Sequence, residues 1–113
     1  MPKKAIASFA SFDALDIRAG RILEVEDAQT RTPTYRLTID LGPKLGHKVS
    51  CGAYRSYAKD ALIGRTVICV TNLGPKKMGP EVSDVLVLGI SKQNGETIYL
   101  STESAVPSGG SVF

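Results

Sequence analysis

The sequence has no tryptophan, one histidine and two cysteines, and these scarcities restrict the chemistry available to it. A zinc site needs about four ligands, commonly in paired CxxC motifs, and the chain has too few and no such pair. Cys51 and Cys69 fall in apolar, strand-like segments, so we expect two buried free thiols rather than a disulfide. The sequence therefore predicts no metal site.

Recognisable catalytic motifs are also missing. His47 has no carboxylate or nucleophile beside it in a known pattern, and Ser50-Cys51-Gly52 lacks the strand-turn-helix context of a nucleophile elbow. No glycine-rich phosphate loop precedes a helix, which argues against nucleotide hydrolysis. We therefore expect a binding protein that is not an enzyme and uses no cofactor.

Long apolar runs are absent as well. Residues 1–7 have a charged start but no apolar stretch of signal-peptide or membrane-span length, so we expect a cytoplasmic protein without membrane insertion. With 42% apolar and 22% charged residues, the composition is that of an ordinary globular protein. The length of 113 residues predicts a single domain over residues 1–113.

Positive charge is concentrated in the middle of the chain. Residues 31–77 contain nine basic side chains and two acidic ones, whereas the segments on either side are net acidic. Such a segment is typical of a surface that binds a phosphate backbone. The alternative is that the charges spread around the fold without forming a patch.

Apolar and polar residues alternate in several segments, which is the period of half-buried β-strands. The alternation is clearest over residues 35–41, and it is interrupted near Gly20, where we expect a bulge or a sharp coil. Asn94-Gly95 predicts a hairpin between the last two strands. Strands are expected over residues 16–27, 35–41, 47–51, 66–71, 82–91 and 97–101.

Two short helical segments complete the predicted architecture. Residues 8–15 place Phe9 and Phe12 on one face of a helix that is too short to be stable alone, so it must pack on something. Residues 54–63 are typical of a turn or short helix between the third and fourth strands. A five-stranded OB-fold barrel has its helix at this point. We therefore predict an all-β OB-fold barrel with a C-terminal extension, and a β-sandwich is the alternative.

One connection between two apolar runs stands out. Residues 70–84 break at Gly74-Pro75, carry Lys76, Lys77 and Met78, and return to an apolar run through Ser83. Glycine and proline disfavour a helix here, so two cations and a thioether are expected on a loop between buried strands. Loops of this kind often carry function on a rigid scaffold. The alternative is a solvated basic loop without a ligand.

Several stretches together resemble the tRNA-binding domain shared by CsaA proteins and the C-terminal appendices of some methionyl-tRNA synthetases. The resemblance covers about residues 12–113. It is carried by residues 16–22, by Ile39-Asp40-Leu41-Gly42, and by the spacing from Asn72 to Ser83. Segment 83–89 and the two terminal extensions look most like CsaA, an export-related chaperone.

The resemblance implies an OB-fold homodimer whose segments 1–15 and 101–113 build the interface. It also implies binding of tRNA or tRNA-like RNA by its folded shape, with unfolded preproteins and the export machinery as alternative partners. The interface residues it implies are Phe9, Phe12, Val112 and Phe113. The ligand-facing positions carried over from the family are Asn72, Lys76, Lys77, Met78, Ser83, Arg18 and Lys48.

The chain departs from the broader family at three places. Pro80 stands where glycine is usual and stiffens the loop tip, and Val85-Leu86 and Cys51-Gly52 replace Gly-Met and Ser-Gly. Both lysines remain, and lysines supply phosphate affinity without sequence readout. The lack of tryptophan favours recognition of backbone and shape over base stacking. Met78 favours the alternative ligand, because a flexible thioether suits apolar contact with peptides.

Overall fold

The computed structural model describes residues 2–52 and 54–113. Within these residues, antiparallel strands dominate and short helices of four or five residues connect them. In chain order the elements are α1 (Phe9–Asp13), β1 (Ile17–Asp27), β2 (Tyr35–Asp40), α2 (Gly42–Leu45), β3 (His47–Gly52), α3 (Lys59–Leu62), β4 (Thr66–Val70), β5 (Lys76–Met78), β6 (Glu81–Ser83), β7 (Leu86–Val87), β8 (Gly89–Ser91) and β9 (Thr97–Tyr99).

The main sheet curls into a barrel. Its strand order is β3-β2-β1-β4-β7, and the long strand β1 pairs with β4 in its first half and with β2 in its second. The far edges approach each other beyond β6, where Asp84 N donates to Val49 O of β3 at 2.7 Å. The result is a nearly closed five-stranded antiparallel barrel with α3 between β3 and β4. This architecture confirms the predicted OB-type fold over the β-sandwich.

The barrel encloses one apolar core. Both cysteines are buried free thiols, as predicted, and burial raises the pKa of the Cys69 thiol to about 12. The rings of Tyr54 and Tyr99 pack with their centroids 4.6 Å apart. Most of the side chains that are almost completely buried come from β1, β2, α3 and β4, and these are Ile22, Leu37, Ile39, Leu62, Val67 and Cys69.

The irregularity predicted in the first strand lies at a different residue. The pairing of β1 with β2 shifts between Ile22 and Glu24, so Leu23 is the bulged residue and its side chain turns outward. Gly20 instead lies where β1 passes over β2, and a Cβ there would come 2.5 Å from Cγ2 of Ile39. The expectation of a bulge at Gly20 is therefore wrong. This glycine is needed for close packing of two strands.

The long strand expected over residues 82–91 is divided into β6, β7 and β8. The chain turns at Asp84, whose amide donates to Val49 O while its carboxylate accepts from Val49 N at 3.0 Å. Because the Asp84 carboxylate accepts the hydrogen bond from Val49 N, that amide is not available to a backbone carbonyl. The regular β-ladder with β3 therefore does not continue through Asp84. The predicted hairpin at Asn94-Gly95 is confirmed, since β8 and β9 pair across it.

The C-terminal extension docks on its own barrel. Val112 N of the tail donates to Ile17 O of β1 at 2.8 Å. Ala19 N of β1 donates to Gly110 O of the tail, and Gly109 N donates to Ala19 O. Gly109 has a φ of +87° and lies against the backbone of α2. The tail thus packs on the barrel of its own subunit through backbone hydrogen bonds.

Helix α1 contrasts with the tail. Ser8 caps it by accepting from Ser11 N, yet none of its residues is buried. Phe9 is 84% exposed and Phe12 is 42% exposed. Among the residues that the structure describes, none therefore buries this helix. Among the described residues, no helix is long and apolar enough to cross a membrane.

Candidate nucleic-acid interface

The central connection contains a small hairpin rather than a plain loop. β5 and β6 pair antiparallel, with Lys76 opposite Ser83, Lys77 opposite Val82 and Met78 opposite Glu81. Gly79, with a φ of +64°, and Pro80 form its tip. We call this unit, residues 76–83, the lysine hairpin. The expectation that the lysines lie on an irregular loop is corrected: strand pairing fixes their spacing.

The lysine hairpin presents its cations in two directions. Side chains alternate along a strand, so Lys76 and Met78 lie on one face and Lys77 lies on the other. Both lysines are exposed, and neither makes an ion pair with any residue that the structure describes. Their charges are therefore available to a ligand.

Other basic residues of the middle segment are engaged within the protein. Arg36 pairs with Glu81 and Glu26, while Arg55 and Lys59 both pair with Asp27. These acids lie outside residues 31–77, which is why a count along the sequence overstates the free charge. Basic residues of the segment with no ion pair among the described residues are Arg31, Lys44, Lys48, Arg65, Lys76 and Lys77.

A buried carboxylate anchors the lysine hairpin to the barrel. Glu81 accepts from Gln29 N at 2.7 Å and from Nη1 of Arg36 at 2.9 Å. These hydrogen bonds, with the positive charge of Arg36, lower the pKa of Glu81 from its ordinary value. The carboxylate is therefore ionised at neutral pH. Sequence reasoning missed Glu81, because its partners lie 45 and 52 residues away.

An apolar cavity of about 580 Å³ opens beside the lysine hairpin. Ser50 and Tyr54 share a hydrogen bond of 2.7 Å between their hydroxyl groups at this site. Burial raises the pKa of the Cys51 thiol, so this cysteine lines the cavity as a neutral group. Its lining includes Cys51, Tyr54, Leu73, Lys76, Met78 and Tyr99.

Asn72 holds the start of β1. Its side-chain oxygen accepts from Asp16 N at 2.8 Å, and its amide donates to Ala14 O at 2.8 Å. We expect Asn72→Ala to lower the free energy of unfolding in urea by about 1–2 kcal/mol, because two hydrogen bonds are lost. The salt dependence of any RNA binding should stay unchanged. Unaltered stability together with weaker RNA binding would instead identify Asn72 as a ligand contact.

The remaining predicted site residues differ in burial and in how far their polar groups already bond within the protein. Ser83 is buried, where its hydroxyl accepts from Cys51 N at 3.1 Å and donates to Val85 O at 3.2 Å. Arg18 donates to Asp16 at 2.8 Å and to Gly109 O at 3.1 Å, so it ties β1 to the tail. Lys48 is half-buried on β3. The structure thus brings Lys76, Met78 and Ser83 together at the apolar cavity, and it places Asn72 and Arg18 elsewhere.

The residues expected at a dimer interface lie on the surface of the single chain. Phe9 and Phe113 are almost fully exposed, and Phe12 and Val112 are partly exposed. Ile6, next to α1, is also fully exposed. Large apolar side chains at both termini are therefore open to contact with another surface.

The chain is similar in sequence to proteins that act on or bind tRNA. A family model described as a putative tRNA binding domain matches residues 17–111. Among curated proteins, the methionine–tRNA ligase of Methanothrix thermoacetophila is 33% identical over 107 residues, which cover 95% of this chain and 16% of that protein. The chain thus spans about one sixth of the length of this relative.

Solved structures of similar size match over their full length. The crystal structure of the CsaA chaperone protein from Picrophilus torridus aligns with a TM-score of 0.90 and 33% identity, covering 96% of this chain and all of that one. The chaperone CsaA from Bacillus anthracis aligns with a TM-score of 0.89 and 34% identity over the same shares.

Proposed function

Because this chain belongs to the family of putative tRNA-binding domains, we propose that it binds tRNA or tRNA-like RNA through the lysine hairpin. The observation that supports this most is the pair of exposed lysines with no ion pair among the described residues. Lysine ammonium groups contact phosphate oxygens as point charges. The role is one of binding without catalysis, as expected of a binding-domain family, and we place it in the cytoplasm.

The mode of recognition we propose is contact with the RNA backbone and its shape. Sequence-specific binding of single strands needs exposed aromatic platforms. Three of the four tyrosines, Tyr35, Tyr54 and Tyr99, are buried, and Tyr57 is half-buried. The exposed aromatic rings belong to Phe9, Phe12 and Phe113 in the terminal segments. The hairpin therefore offers charge and no stacking surface.

The experiment that tests this function is a titration of labelled bulk tRNA with the protein at several salt concentrations. We expect saturable binding whose logarithm of affinity falls linearly with the logarithm of salt concentration. The slope should be about −0.9 per phosphate neutralised on a duplex-like target. Binding that is absent, or that does not change with salt, would contradict the proposal.

We further propose that two copies form a homodimer through their terminal segments. Replacing Phe9 and Phe113 together by serine should convert the dimer to a monomer in sedimentation equilibrium. A symmetric interface then loses four phenylalanine side chains, each worth about 1.5–3 kcal/mol if fully buried. The barrel should remain folded, because both rings are exposed in the single chain. Its melting temperature should fall only by the amount that dimerisation contributed.

A matched control for the dimer is Ile90→Ser, which removes an exposed apolar side chain from β8, away from the termini. It should leave the sedimentation behaviour unchanged. A Phe9 and Phe113 variant that remains dimeric would refute the proposed interface. Truncation of residues 106–113 is a weaker test, because it also removes the hydrogen bonds between the tail and β1.

The apolar cavity favours a second candidate function, that of a chaperone that binds unfolded preproteins and the export machinery. Its volume of about 580 Å³ and its lining by Leu73, Met78 and Tyr99 suit apolar side chains of an extended peptide. The similarity to solved CsaA chaperones supports this candidate. An unfolded preprotein that binds without a steep salt dependence, and that displaces tRNA, would favour one shared surface for both ligands.

A further inference from the structure

A cleft of about 310 Å³ lies where the C-terminal tail meets the barrel. Its walls come from β1, from α2 with the residue before it, and from the tail. The lining residues include Arg18, Leu41, Pro43, Lys44, Ser108 and Ser111. We call it the tail cleft. Small-ligand pockets have volumes of about 300–1,000 Å³, so the cleft is large enough for a small molecule.

The walls of the tail cleft are held together by backbone packing. Gly42 and Gly109 have φ values of +86° and +87°, and their backbones lie against each other. A Cβ on Gly42 would come 2.5 Å from Ser108 O. On the other side, Gly109 N donates to Ala19 O of β1 at 2.7 Å. The tail is therefore fixed between α2 and β1, and the cleft is preformed.

Arg18 presents a guanidinium of fixed orientation to the tail cleft. Its Nε donates to Asp16 Oδ1 at 2.8 Å, and its Nη1 donates to Gly109 O at 3.1 Å. The side chain makes no other hydrogen bond to a described residue, so its Nη2 donors remain for a ligand. Because two bonds already hold the group, a ligand need not order it.

Lys44 gives the tail cleft its net positive charge. The carboxylate of Asp16 offsets much of the charge of Arg18. Lys44, in contrast, is exposed and has no ion pair in the part of the chain that the structure describes. Asp40, at the end of β2, accepts from Gly42 N at 2.9 Å and does not line the cleft. The ammonium group is therefore available to an anion.

Two hydroxyl groups and an apolar wall complete the tail cleft. The side chains of Ser108 and Ser111 make no hydrogen bond within residues 2–52 and 54–113, so both can donate to a ligand. Leu41 and Pro43 contribute apolar atoms to the same lining. Guanidinium, ammonium and hydroxyl groups together suit the oxygens of a phosphate group. The apolar atoms suit a carbon group attached to that phosphate.

The tail cleft is separate from the lysine hairpin. Ser83 of the hairpin bonds to Cys51 N, and Cys51 pairs with Arg36 near the start of β2. The cleft lies beyond the other end of β2, which is about 15–20 Å away for a strand of six residues. A small ligand in the tail cleft therefore leaves the hairpin free.

We propose that the tail cleft binds a small phosphate ester. Its phosphate group contacts Arg18, Lys44 and the hydroxyls of Ser108 and Ser111, and its carbon group lies against the apolar wall. A phosphate monoester carries a charge of about −1.5 to −2 at pH 7, which the two cations offset. Because the ligand bridges β1, α2 and the tail, it also stabilises the docked tail. The proposal does not depend on RNA binding by the lysine hairpin.

The first test is an NMR titration of the ¹⁵N-labelled protein with phenyl phosphate at constant ionic strength. The amide signals of Lys44, Gly109 and Ser111 should shift saturably, whereas those of Lys76 and Lys77 should not. At about ten times the dissociation constant so measured, the ligand should raise the melting temperature by about 6 °C. Inorganic phosphate should bind about 3- to 10-fold more weakly, because it lacks the carbon group.

The second test uses variants of the tail cleft. Lys44→Ala should weaken phenyl phosphate binding by about tenfold, because a charge-assisted hydrogen bond is lost. Ser111→Ala removes one neutral donor and should weaken it by about 2- to 5-fold. Both side chains are exposed, so both variants should fold. The matched control is Lys92→Ala, which removes an exposed lysine from the β8–β9 hairpin and should leave the affinity unchanged.

Three results would overturn the proposed ligand site. The first is the absence of saturable shifts around the tail cleft. The second is an equal affinity of the unmodified protein and Lys44→Ala for phenyl phosphate. The third is a loss of tRNA affinity in Lys44→Ala without any binding of phenyl phosphate, which would assign the cleft to the RNA backbone. Saturable shifts at the cleft that Lys44→Ala weakens and Lys92→Ala does not would support the site.

Discussion

Replacing Lys76 and Lys77 together by alanine should weaken tRNA binding by about tenfold near 0.1 M salt. The magnitude of the salt slope should fall by about 1.5, since two phosphate contacts are lost. The fold should be unaffected, because both side chains are exposed and neither has an ion pair among the described residues. Titration of labelled tRNA at several salt concentrations measures both quantities.

The control for the lysine pair removes the same charge elsewhere. Lys44 on α2 and Lys92 beyond β8 are exposed and lie outside the lysine hairpin, so their joint replacement by alanine should alter the affinity only slightly. A similar loss in both double variants would mean that net charge alone governs binding. If the Lys76 and Lys77 double variant lost the same factor in tRNA affinity at low and at high salt, the hairpin would act structurally and not as a phosphate contact.

Substitution of Gly109 by alanine should detach the tail from the barrel. The φ of +87° at this residue disfavours any side chain, and a Cβ would come 2.5 Å from the backbone oxygen of Leu41. We expect the free energy of unfolding to fall by about 3 kcal/mol and the melting temperature by roughly 10 °C. Thermal unfolding followed by circular dichroism measures the change.

Gly46→Ala provides the matched comparison for the tail. Gly46 also has a positive φ, of +69°, but no atom of the described residues lies within 4 Å of a Cβ placed there. This variant should lose only about 1 kcal/mol, which is the conformational cost alone. Equal losses at Gly46 and Gly109 would show that close contact between the tail and α2 contributes nothing.

Features encoded locally could be predicted from the sequence. The alternation over residues 35–41 correctly predicted β2 and its buried face, and Asn94-Gly95 correctly predicted the β8–β9 hairpin. The pattern of residues 54–63 predicted a short helix between the third and fourth strands, where α3 lies, and this position indicated the OB-fold barrel. Each of these depends on neighbouring residues, whose spacing sets the period and the turn.

Features that depend on distant residues could not be predicted. Glu81 is anchored by Arg36 and Gln29, which only the barrel topology brings near it. Asn72 and Ser83 have the spacing expected of ligand contacts, yet their side chains bond to the protein backbone. A polar side chain in a turn can bond inward or face a ligand, and sequence spacing does not distinguish the two.

The most direct test of the central claim is lysine acetylation of the protein with and without bound tRNA, followed by mass spectrometry of its peptides. Lys76 and Lys77 are exposed and should react readily in the free protein. Bound tRNA should protect both of them, while Lys92, on the β8–β9 hairpin, serves as the internal reference and keeps its reactivity. Equal reactivity of Lys76 and Lys77 in free and tRNA-bound protein would contradict the lysine hairpin as the RNA-binding surface.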